Sequence, residues 1–350
     1  MGLTNASMGA AVLNRGGLHI EKETRQDKIV ALAGNPNVGK STVFNSLTGL
    51  NQHTGNWPGK TVTNAQGRYR HKGVDYILVD IPGTYSLMAN SAEEAVARDF
   101  ICFGGADAVV VVADATCLER NLNLVLQCLE VTSKVVLCVN LMDEAGRKGI
   151  LIDLDRLAFR LGIPVIGTSA RSGEGLARLM DAVAGLTEGA AAPVPPEVNY
   201  GSEIEGAVSL VEPAVQGLLP ALENALAGKL NSRWAALKLL DGDESLLQSL
   251  KDYLNCDLMQ NAEIAQRLSE AGGLLAEAGL TGNPLRDRMV TAIVKTCEDI
   301  ARETVVFEKA EYAERDRKID KILTSKLTGI PIMLMLLFGV FWLTITGANV

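Results

Sequence analysis

Short apolar runs alternate with amphipathic stretches over the first half of the chain. Five runs have the length and apolar content of strands: 29–33, 76–79, 108–112, 135–139 and 164–167. Five intervening stretches show the helical spacing of apolar residues: 40–48, 93–103, 122–131, 154–161 and 175–184. This alternation predicts an α/β fold, a mostly parallel sheet with helices on both faces, which we assign to residues 28–186.

Two segments of different composition flank this domain. Residues 1–27 contain no apolar stretch long enough for a signal peptide, and we predict that they form a flexible N-terminal extension. Residues 187–199 contain three prolines among small residues, which is typical of a linker.

The next segment, 200–326, is rich in Leu, Ala and Glu and has few β-branched runs. Within it, 235–240 and 262–278 show helical periodicity. We therefore predict a second, all-helical domain.

The C-terminal segment is apolar and uncharged. No charged residue follows Lys326, and the 24 residues from 327 to 350 exceed the roughly 20 that a transmembrane helix needs. The segment 315–326 is basic, which predicts that this side lies in the cytoplasm. A buried core helix is the alternative, but such a helix normally keeps a polar face. The polar residues 346–349 are expected to begin a loop to a further span, so that the chain is truncated.

Charge and cysteine content exclude several classes of protein. Lys plus Arg number 33 and Asp plus Glu 41, a net charge of −8, so we expect no nucleic-acid partner. Hydrophobic residues make up 47% of the chain, which excludes disorder as the main state. The six cysteines form no CxxC pair, which favours reduced, packed thiols over disulfides or a zinc site.

A phosphate-binding loop follows the first predicted strand directly. Residues 34–41, GNPNVGKS, match GxxxxGK[ST] in the strand–loop–helix context that this motif requires. Its glycines let backbone N–H groups turn towards phosphates, and the next helix directs its positive end at them. We expect Lys40 to reach the β- and γ-phosphates and Ser41 to ligate Mg²⁺. A glycine-rich turn with a chance lysine is the alternative, and the context argues against it.

Further motifs follow in the order typical of a GTPase. In DIPG, 80–83, Asp80 can hold Mg²⁺ through water and the Gly83 N–H can reach the γ-phosphate. Thr61 lies in the preceding loop, where a switch threonine closes on Mg²⁺ and the γ-phosphate. Glutamine usually follows DxxG to orient the attacking water, but Thr84 stands there.

Two motifs select the base. In NLMD, 140–143, the Asp143 carboxylate can accept hydrogen bonds from guanine N1–H and N2–H₂. Adenine would leave that carboxylate unpaired, and such sites discriminate by roughly 10⁴–10⁵. Leu141 replaces the usual lysine of NKxD, so we expect weaker nucleotide binding. In TSA, 168–170, a backbone N–H can bond to guanine O6.

These motifs define the predicted site. We expect hydrolysis to depend on Lys40, Thr61 and Gly83, and Mg²⁺ to be held by Ser41, Thr61 and Asp80. Arg68, Arg70 and Arg98 are expected to be solvated surface residues and not arginine fingers. The predicted GTP-binding residues are Gly34, Asn35, Pro36, Asn37, Val38, Gly39, Lys40, Ser41, Gly59, Lys60, Thr61, Val62, Thr63, Asp80, Ile81, Pro82, Gly83, Asn140, Leu141, Met142, Asp143, Thr168, Ser169 and Ala170.

From residue 28 to 350 the chain resembles the bacterial ferrous-iron transport protein B (FeoB) family. The loop GNWPG before the switch threonine is the most specific part of the resemblance. The matching stretches are 34–45 (GNPNVGKSTVFN), 52–63 (QHTGNWPGKTVT), 80–87 (DIPGTYSL), 114–130 (DATCLERNLNLVLQCLE), 140–145 (NLMDEA), 168–176 (TSARSGEGL), 236–243 (ALKLLDGD) and 318–332 (KIDKILTSKLTGIPI).

The resemblance implies a cytoplasmic GTPase domain, a helical domain that modulates nucleotide release, and a polytopic part that moves Fe²⁺ across the inner membrane of a bacterial cell. It implies that Asn37 is a ligand for K⁺, which would replace an arginine finger; a turn residue bonded to its own loop is the alternative. Implied partners are GTP, the lipid bilayer, further spans or a separate pore protein, small accessory iron-transport proteins and other copies of the chain. No iron ligand is identifiable here, since Met333 and Met335 lie on different helix faces.

Three functions remain open at this point. The favoured one is the GTP-binding and GTP-hydrolysing portion of a ferrous iron transporter. A membrane-tethered regulatory GTPase without a transport function is the second. A P-loop ATPase or kinase is the third, and the NLMD and TSA motifs argue against it.

Overall fold

The computed structural model describes residues 11–15, 18–24, 26–49, 52–57, 63–88, 91–189, 195–218, 231–254, 257–308 and 329–347. The strands are β1 (Ala11–Arg15), β2 (Leu18–Lys22), β3 (Lys28–Gly34), β4 (Gln52–Asn56), β5 (Thr63–His71), β6 (Val74–Asp80), β7 (Ala108–Asp114), β8 (Val135–Asn140), β9 (Ile150–Ile152), β10 (Val165–Gly167) and β11 (Val305–Phe307).

The α-helices fall into two groups and a C-terminal helix. The first group alternates with the strands: α1 (Lys40–Thr48), α2 (Ala92–Phe103), α3 (Leu118–Val131), α4 (Met142–Arg147), α5 (Leu154–Leu161) and α6 (Leu176–Thr187). The second group forms the helical unit: α7 (Ser202–Leu218), α8 (Ser232–Asp241), α9 (Glu244–Leu254), α10 (Ala262–Glu277) and α11 (Asn283–Thr304). The C-terminal helix is α12 (Gly329–Gly347).

A seven-stranded sheet forms the first unit, with the strand order β10-β8-β7-β3-β6-β5-β4. The five strands from β10 to β6 are parallel, and β5 and β4 continue the sheet in antiparallel pairing. The register pairs Leu32 with Asp80 and Asp114 with Asn140. The carboxyl ends of β3, β6, β7 and β8 therefore meet at one edge of the sheet, which is where ligands bind in folds of this type.

Two apolar cores lie on opposite faces of this sheet. Alternate residues of β3 enter different cores: Ile29 lies in one and Val30 in the other. Phe44 of α1 joins the second core, whereas Phe100 of α2 and Leu122 of α3 join the first. The predicted α/β fold with helices on both faces is confirmed.

The helical unit shares the first core, which includes Tyr200, Trp234 and Ile293. The helical unit is predicted to be all-helical, but it is followed by one strand. β11 follows α11 and pairs antiparallel with β9 of the first unit, with Val306 opposite Leu151. The pairing arises because the end of α11 brings the chain back to an edge that β9 leaves open.

Residues 1–27 contain more regular structure than the predicted flexible extension. β1 and β2 form an antiparallel hairpin, and Ile20 is fully buried. Asp27 is also buried, and its carboxylate accepts backbone hydrogen bonds from Glu23 and Thr24 at 2.7 and 3.1 Å. These contacts attach the segment to the start of β3.

The predicted C-terminal helix is present as α12, and its side chains from Met333 to Phe338 are exposed. Among the described helices, none combines the length and the hydropathy that a bilayer crossing requires.

Candidate functional site

The phosphate-binding loop joins β3 to α1 at the carboxyl edge of the sheet. Asn37 and Gly39 have φ angles of 67° and 83°, in the left-handed region that favours glycine or asparagine. A Cβ atom at Gly39 would lie 2.4 Å from Nδ2 of Asn140, so only glycine fits there. No side chain caps the N-terminus of α1, and its first N–H groups are therefore directed at the predicted phosphate position.

Asn140 connects this loop to the two predicted base-binding motifs. Its Nδ2 donates a hydrogen bond to the carbonyl of Val38 at 3.1 Å. Its Oδ1 accepts hydrogen bonds from the Ala170 N–H at 3.0 Å and from the Thr168 hydroxyl at 3.1 Å. Because Asn140 is buried, these bonds hold GNPNVGKS, NLMD and TSA in one fixed arrangement.

Asp143 lies at the start of the short helix α4, beside TSA. Leu141 precedes that helix with a left-handed φ of 64°, and the Met142 N–H donates to the Thr168 carbonyl at 3.2 Å. The Asp143 N–H donates to the Ser169 hydroxyl at 3.3 Å. The Asp143 carboxylate is exposed and pairs with Arg147 at 3.2 Å. An exposed pair of this kind is weak, so the carboxylate is available to a ligand.

The DIPG motif packs against the phosphate-binding loop. Nζ of Lys40 forms an ion pair with Asp80, and both side chains are largely buried. The Thr84 N–H donates to the Gly34 carbonyl at 3.2 Å, and a Cβ atom at Gly83 would lie 3.3 Å from Pro36. Ser41 is exposed beside this pair. The Asp80 carboxylate is thus held beside the phosphate-binding loop by Lys40.

The predicted switch loop is only partly described. Gly59, Lys60, Thr61 and Val62 lie outside the described residues, and Thr63 begins β5. Before the gap, Trp57 is buried and packs edge-on against Phe100, with ring centroids 5.3 Å apart. The loop is therefore anchored in the apolar core on its N-terminal side.

The two asparagines of the phosphate-binding loop lie in different environments. Asn37 is exposed. Asn35 is buried, and within the described part of the chain neither its Oδ1 nor its Nδ2 has a hydrogen-bond partner. An unpartnered buried amide is costly, so its atoms are left for a bound ligand or for loop residues that close on it.

Thr84 does not replace the missing glutamine. Its side chain is buried, and its hydroxyl donates to the Ser86 carbonyl at 2.5 Å while accepting from the Ser86 N–H at 3.3 Å. The hydroxyl is therefore occupied by its own turn.

The expectation that Arg98 is a solvated surface arginine is wrong. Its guanidinium is buried and donates to Asp99 and to the hydroxyls of Ser245 and Ser249 in α9. It is a contact between the two units, and its position on the apolar side of α2 was the available signal. Arg70 is exposed, and Arg68 forms ion pairs with Glu23 and Asp27.

Profiles of two protein families match the chain. The family described as ferrous iron transport protein B matches residues 28–183, and the FeoB cytosolic helical domain matches residues 200–306. Together they cover both structural units and the linker region between them is left unmatched.

Curated relatives and solved structures agree with these matches. The Fe(2+) transporter FeoB of Salmonella typhimurium is 32% identical over 90% of this chain and 38% of its own length. A Fe(2+) transport protein A/Fe(2+) transporter FeoB fusion protein of Porphyromonas gingivalis is 32% identical over 89% of this chain and 36% of its own length. The chain thus spans little more than a third of these relatives.

The structure of the cytosolic domain of the T. maritima FeoB iron transporter in its GMPPNP form has a TM-score of 0.63. It is 33% identical, and the match covers 80% of this chain and 99% of that one. The same domain in a GDP form also has a TM-score of 0.63, at 33% identity over 80% of this chain and 100% of that one. Sequence motifs, fold and relatives all agree, and the chain belongs to the ferrous iron transport protein B family.

Proposed function

We propose that this chain binds GTP and hydrolyses it to GDP and phosphate. The observation that carries the proposal is the bonding of Asn140, which joins the phosphate-binding loop to both base-binding motifs. A site with this arrangement can hold a phosphate chain at the α1 N-terminus and a purine beside Asp143 at the same time. Solved relatives with GDP and GMPPNP in their titles support the same ligand class.

Base selection is assigned to Asp143, with Leu141 covering the purine face. The Asp143 carboxylate accepts from guanine N1–H and N2–H₂. The Ser169 and Ala170 N–H groups donate to Glu174 and Asn140 in the structure, so a bond to guanine O6 requires one of them to exchange its acceptor. Adenine presents an acceptor at position 1 and lacks the 2-amino group, so it would leave the carboxylate without donors.

Phosphate binding is assigned to Lys40 and to the N–H groups at the start of α1. Ser41 and Asp80 would hold Mg²⁺ together with Thr61, because a hydroxyl and a carboxylate beside phosphate oxygens form the donor set that Mg²⁺ prefers. The metal would supply charge neutralisation on the phosphates. Lys40 is already paired with Asp80, so nucleotide entry exchanges one charge partner of Lys40 for another.

The attacking water has no glutamine to orient it, and we assign the backbone N–H of Gly83 to the γ-phosphate. Asn37 is proposed to hold K⁺, since its side chain is exposed at the loop and an extra cation there would offset the charge that develops on the phosphates. Turnover is expected to be slow and to increase in K⁺ relative to Na⁺.

We further propose that the chain is the cytoplasmic portion of a ferrous iron transporter in a bacterial inner membrane. The printed names of the relatives and the exposed apolar side chains of α12 support this assignment. Segment 327–350, of which α12 is the described part, would meet the bilayer. Transport of Fe²⁺ would need further spans or a separate pore protein, and an accessory protein is favoured by the fused relative.

The test exchanges the base-binding carboxylate. Asp143→Asn is expected to weaken GDP and GTP binding and to favour xanthosine diphosphate, whose 2-oxo group accepts a hydrogen bond from the new amide. Two hydrogen bonds to a charged group, at about 1.5–3 kcal/mol each, correspond to roughly 10²–10⁴-fold weaker binding. Titration with fluorescent nucleotides measures the affinities for GDP, GTP and xanthosine diphosphate.

Glu144→Gln is the matched control, because Glu144 is the neighbouring carboxylate and pairs with Lys148 at 2.9 Å on the same short helix. It should leave both affinities unchanged. An unaltered guanine preference in Asp143→Asn would disprove the base assignment, and equal binding of ATP and GTP by the natural chain would favour an ATPase.

A further inference from the structure

The backbone after Gly83 is held by one face of α3. We call residues 84–88 the switch segment, and Arg120, Asn123 and Gln127 of α3 the α3 clamp. The three clamp residues are spaced three and four apart, so they share one side of the helix. They belong to DATCLERNLNLVLQCLE, which nothing in the nucleotide site uses.

The clamp makes a continuous chain of contacts with the switch segment. Oε1 of Gln127 accepts a hydrogen bond from the Leu87 N–H at 2.6 Å, and its Nε2 donates to Oδ1 of Asn123 at 3.1 Å. Nδ2 of Asn123 then donates to the Tyr85 carbonyl at 3.1 Å. The guanidinium of Arg120 lies 4.5 Å from the centre of the Tyr85 ring.

Gln127 occupies a position that packing alone would give to an apolar residue. It is only 6% exposed, and its helical neighbours Leu126 and Cys128 are buried apolar residues. A buried amide is tolerated only when it is hydrogen-bonded, and here both of its polar atoms are used. One of them is bonded to the backbone of a loop, which fixes the path of that loop.

Gly83 therefore lies close to two anchors on its C-terminal side. The first is the bond from the Thr84 N–H to the Gly34 carbonyl at 3.2 Å, which fixes it to the phosphate-binding loop. The second is the α3 clamp at Tyr85 and Leu87. Both anchors act within four residues of Gly83 and restrict the path of the backbone that follows it.

We propose that Asn123 and Gln127 are positioning residues for GTP hydrolysis, which hold the switch segment so that the Gly83 N–H meets the γ-phosphate. The proposal rests on the proposed GTPase function. Preorganised donors lower the barrier because they need no reorientation during the reaction. Loss of the clamp should therefore slow hydrolysis while the diphosphate product, which lacks a γ-phosphate, binds as before.

The decisive variant is Gln127→Met, which keeps the side-chain length and removes both polar atoms. We expect single-turnover GTP hydrolysis to slow about tenfold, a barrier increase of ~1.4 kcal/mol, with GDP affinity within about twofold of the natural value. Hydrogen exchange at the Leu87 amide should accelerate, because its acceptor is gone. Asn123→Ala, at a less buried position, is the second variant and should slow hydrolysis in the same direction.

Gln266→Met is the matched control. Gln266 donates to Glu270 at 2.9 Å on exposed α10, where it has no contact with the switch segment, and the variant should hydrolyse GTP at the natural rate. Natural hydrolysis rates in both clamp variants would overturn the proposal, as would a loss of GDP affinity equal to the loss of rate.

A failure of the α3 clamp can be distinguished from a failure of the proposed GTPase function. If the natural chain neither binds nor hydrolyses GTP, the proposed function fails. Exchange at the Leu87 amide then still judges the clamp itself: acceleration in Gln127→Met supports it, and unchanged exchange overturns it.

Discussion

Among the polar contacts between the first unit and the helical unit, two use arginine–carboxylate pairs in different surroundings. Between α2 and α9, the Arg98 side chain is 2% exposed and is surrounded by Asp99, Asp243 and serine hydroxyls. Between α5 and α11, Arg156 and Arg160 pair with Glu303, and the Arg156 side chain is 54% exposed.

The difference lies in what remains when one partner is removed. At the α2–α9 contact, loss of the guanidinium would leave the Asp99 carboxylate, which is 12% exposed, without its cation. At the α5–α11 contact, water replaces the lost partner. The buried contact is also carried by the helix that follows the switch segment in the chain. We therefore expect the stability of the helical unit to depend on its contact with α2 far more than on its contact with α5.

The largest effect is expected for Arg98→Met, which keeps most of the side-chain volume and removes the charge. Removing one partner from a buried ionic contact costs about 3–5 kcal/mol, and the free energy of unfolding should fall by that amount. Urea denaturation measures it. Arg156→Met, the same exchange at the exposed contact, should change stability by no more than about 0.5 kcal/mol. Equal losses in the two variants would remove the distinction between the contacts.

An intermediate effect is expected at Glu130, near the C-terminal end of α3. Burial raises the pKa of Glu130, in spite of a hydrogen bond from Tyr200 and the nearby charges of Lys238 and Arg233. The ionised form is therefore disfavoured in the folded state, and this penalty disappears as the pH falls through the raised pKa towards the ordinary range of a glutamate.

Glu130→Gln removes that titration and keeps an acceptor for Tyr200. At pH 8 the variant should be more stable than the natural chain, because it carries no charge that burial disfavours. The advantage should shrink as the pH is lowered to 5, in unfolding experiments at each pH. A constant difference between the two proteins over this range would contradict the assignment.

The smallest effect is expected for Glu303→Gln. Hydrogen bonds from Arg160 and Arg156 lower the pKa of Glu303, but all three side chains remain in contact with water. The urea midpoint should stay within experimental error of the natural value at 0.5 M salt. A large shift that persists in high salt would show that the exposed contact resembles the buried one.

The central strands could be predicted because they are buried on both faces and read as continuous apolar runs, as in β3, β7 and β8. β5 lacks such a run, since its sequence TNAQGRYRH is mostly polar, and it owes its structure to pairing with β6. β11 has only three residues, and its partner β9 is distant in the chain. Pairings of this kind are fixed by tertiary structure and leave little local signal.

The N-terminal hairpin did leave a signal. A Gly-Gly pair at 16–17 separates two strands of five residues each, which is a hairpin pattern. Its short strands and low apolar content instead favour the prediction of a flexible extension.

The candidate site also has a part that the sequence indicates and a part that it does not. The residues at 34–41, 80–83, 140–143 and 168–170 could be predicted, because each motif is a local sequence with fixed spacing. The hydrogen bonds of Asn140 could not be predicted, because its partners Val38 and Ala170 come from two other loops. Gln127 could not be assigned for the same reason: its partner in the switch segment is distant in the chain.

The short pairing of β11 with β9 has a mechanical consequence. Its last hydrogen bond runs from the Glu308 N–H to the Gly149 carbonyl at 2.8 Å, and the chain then continues towards α12. Within the described residues, this bond is the last link between the chain and the first unit before α12. Gly149 lies just beyond the end of α4, the helix that carries Asp143. A pull on the chain beyond Glu308 would therefore act on the segment that follows the helix of the proposed base-binding residue.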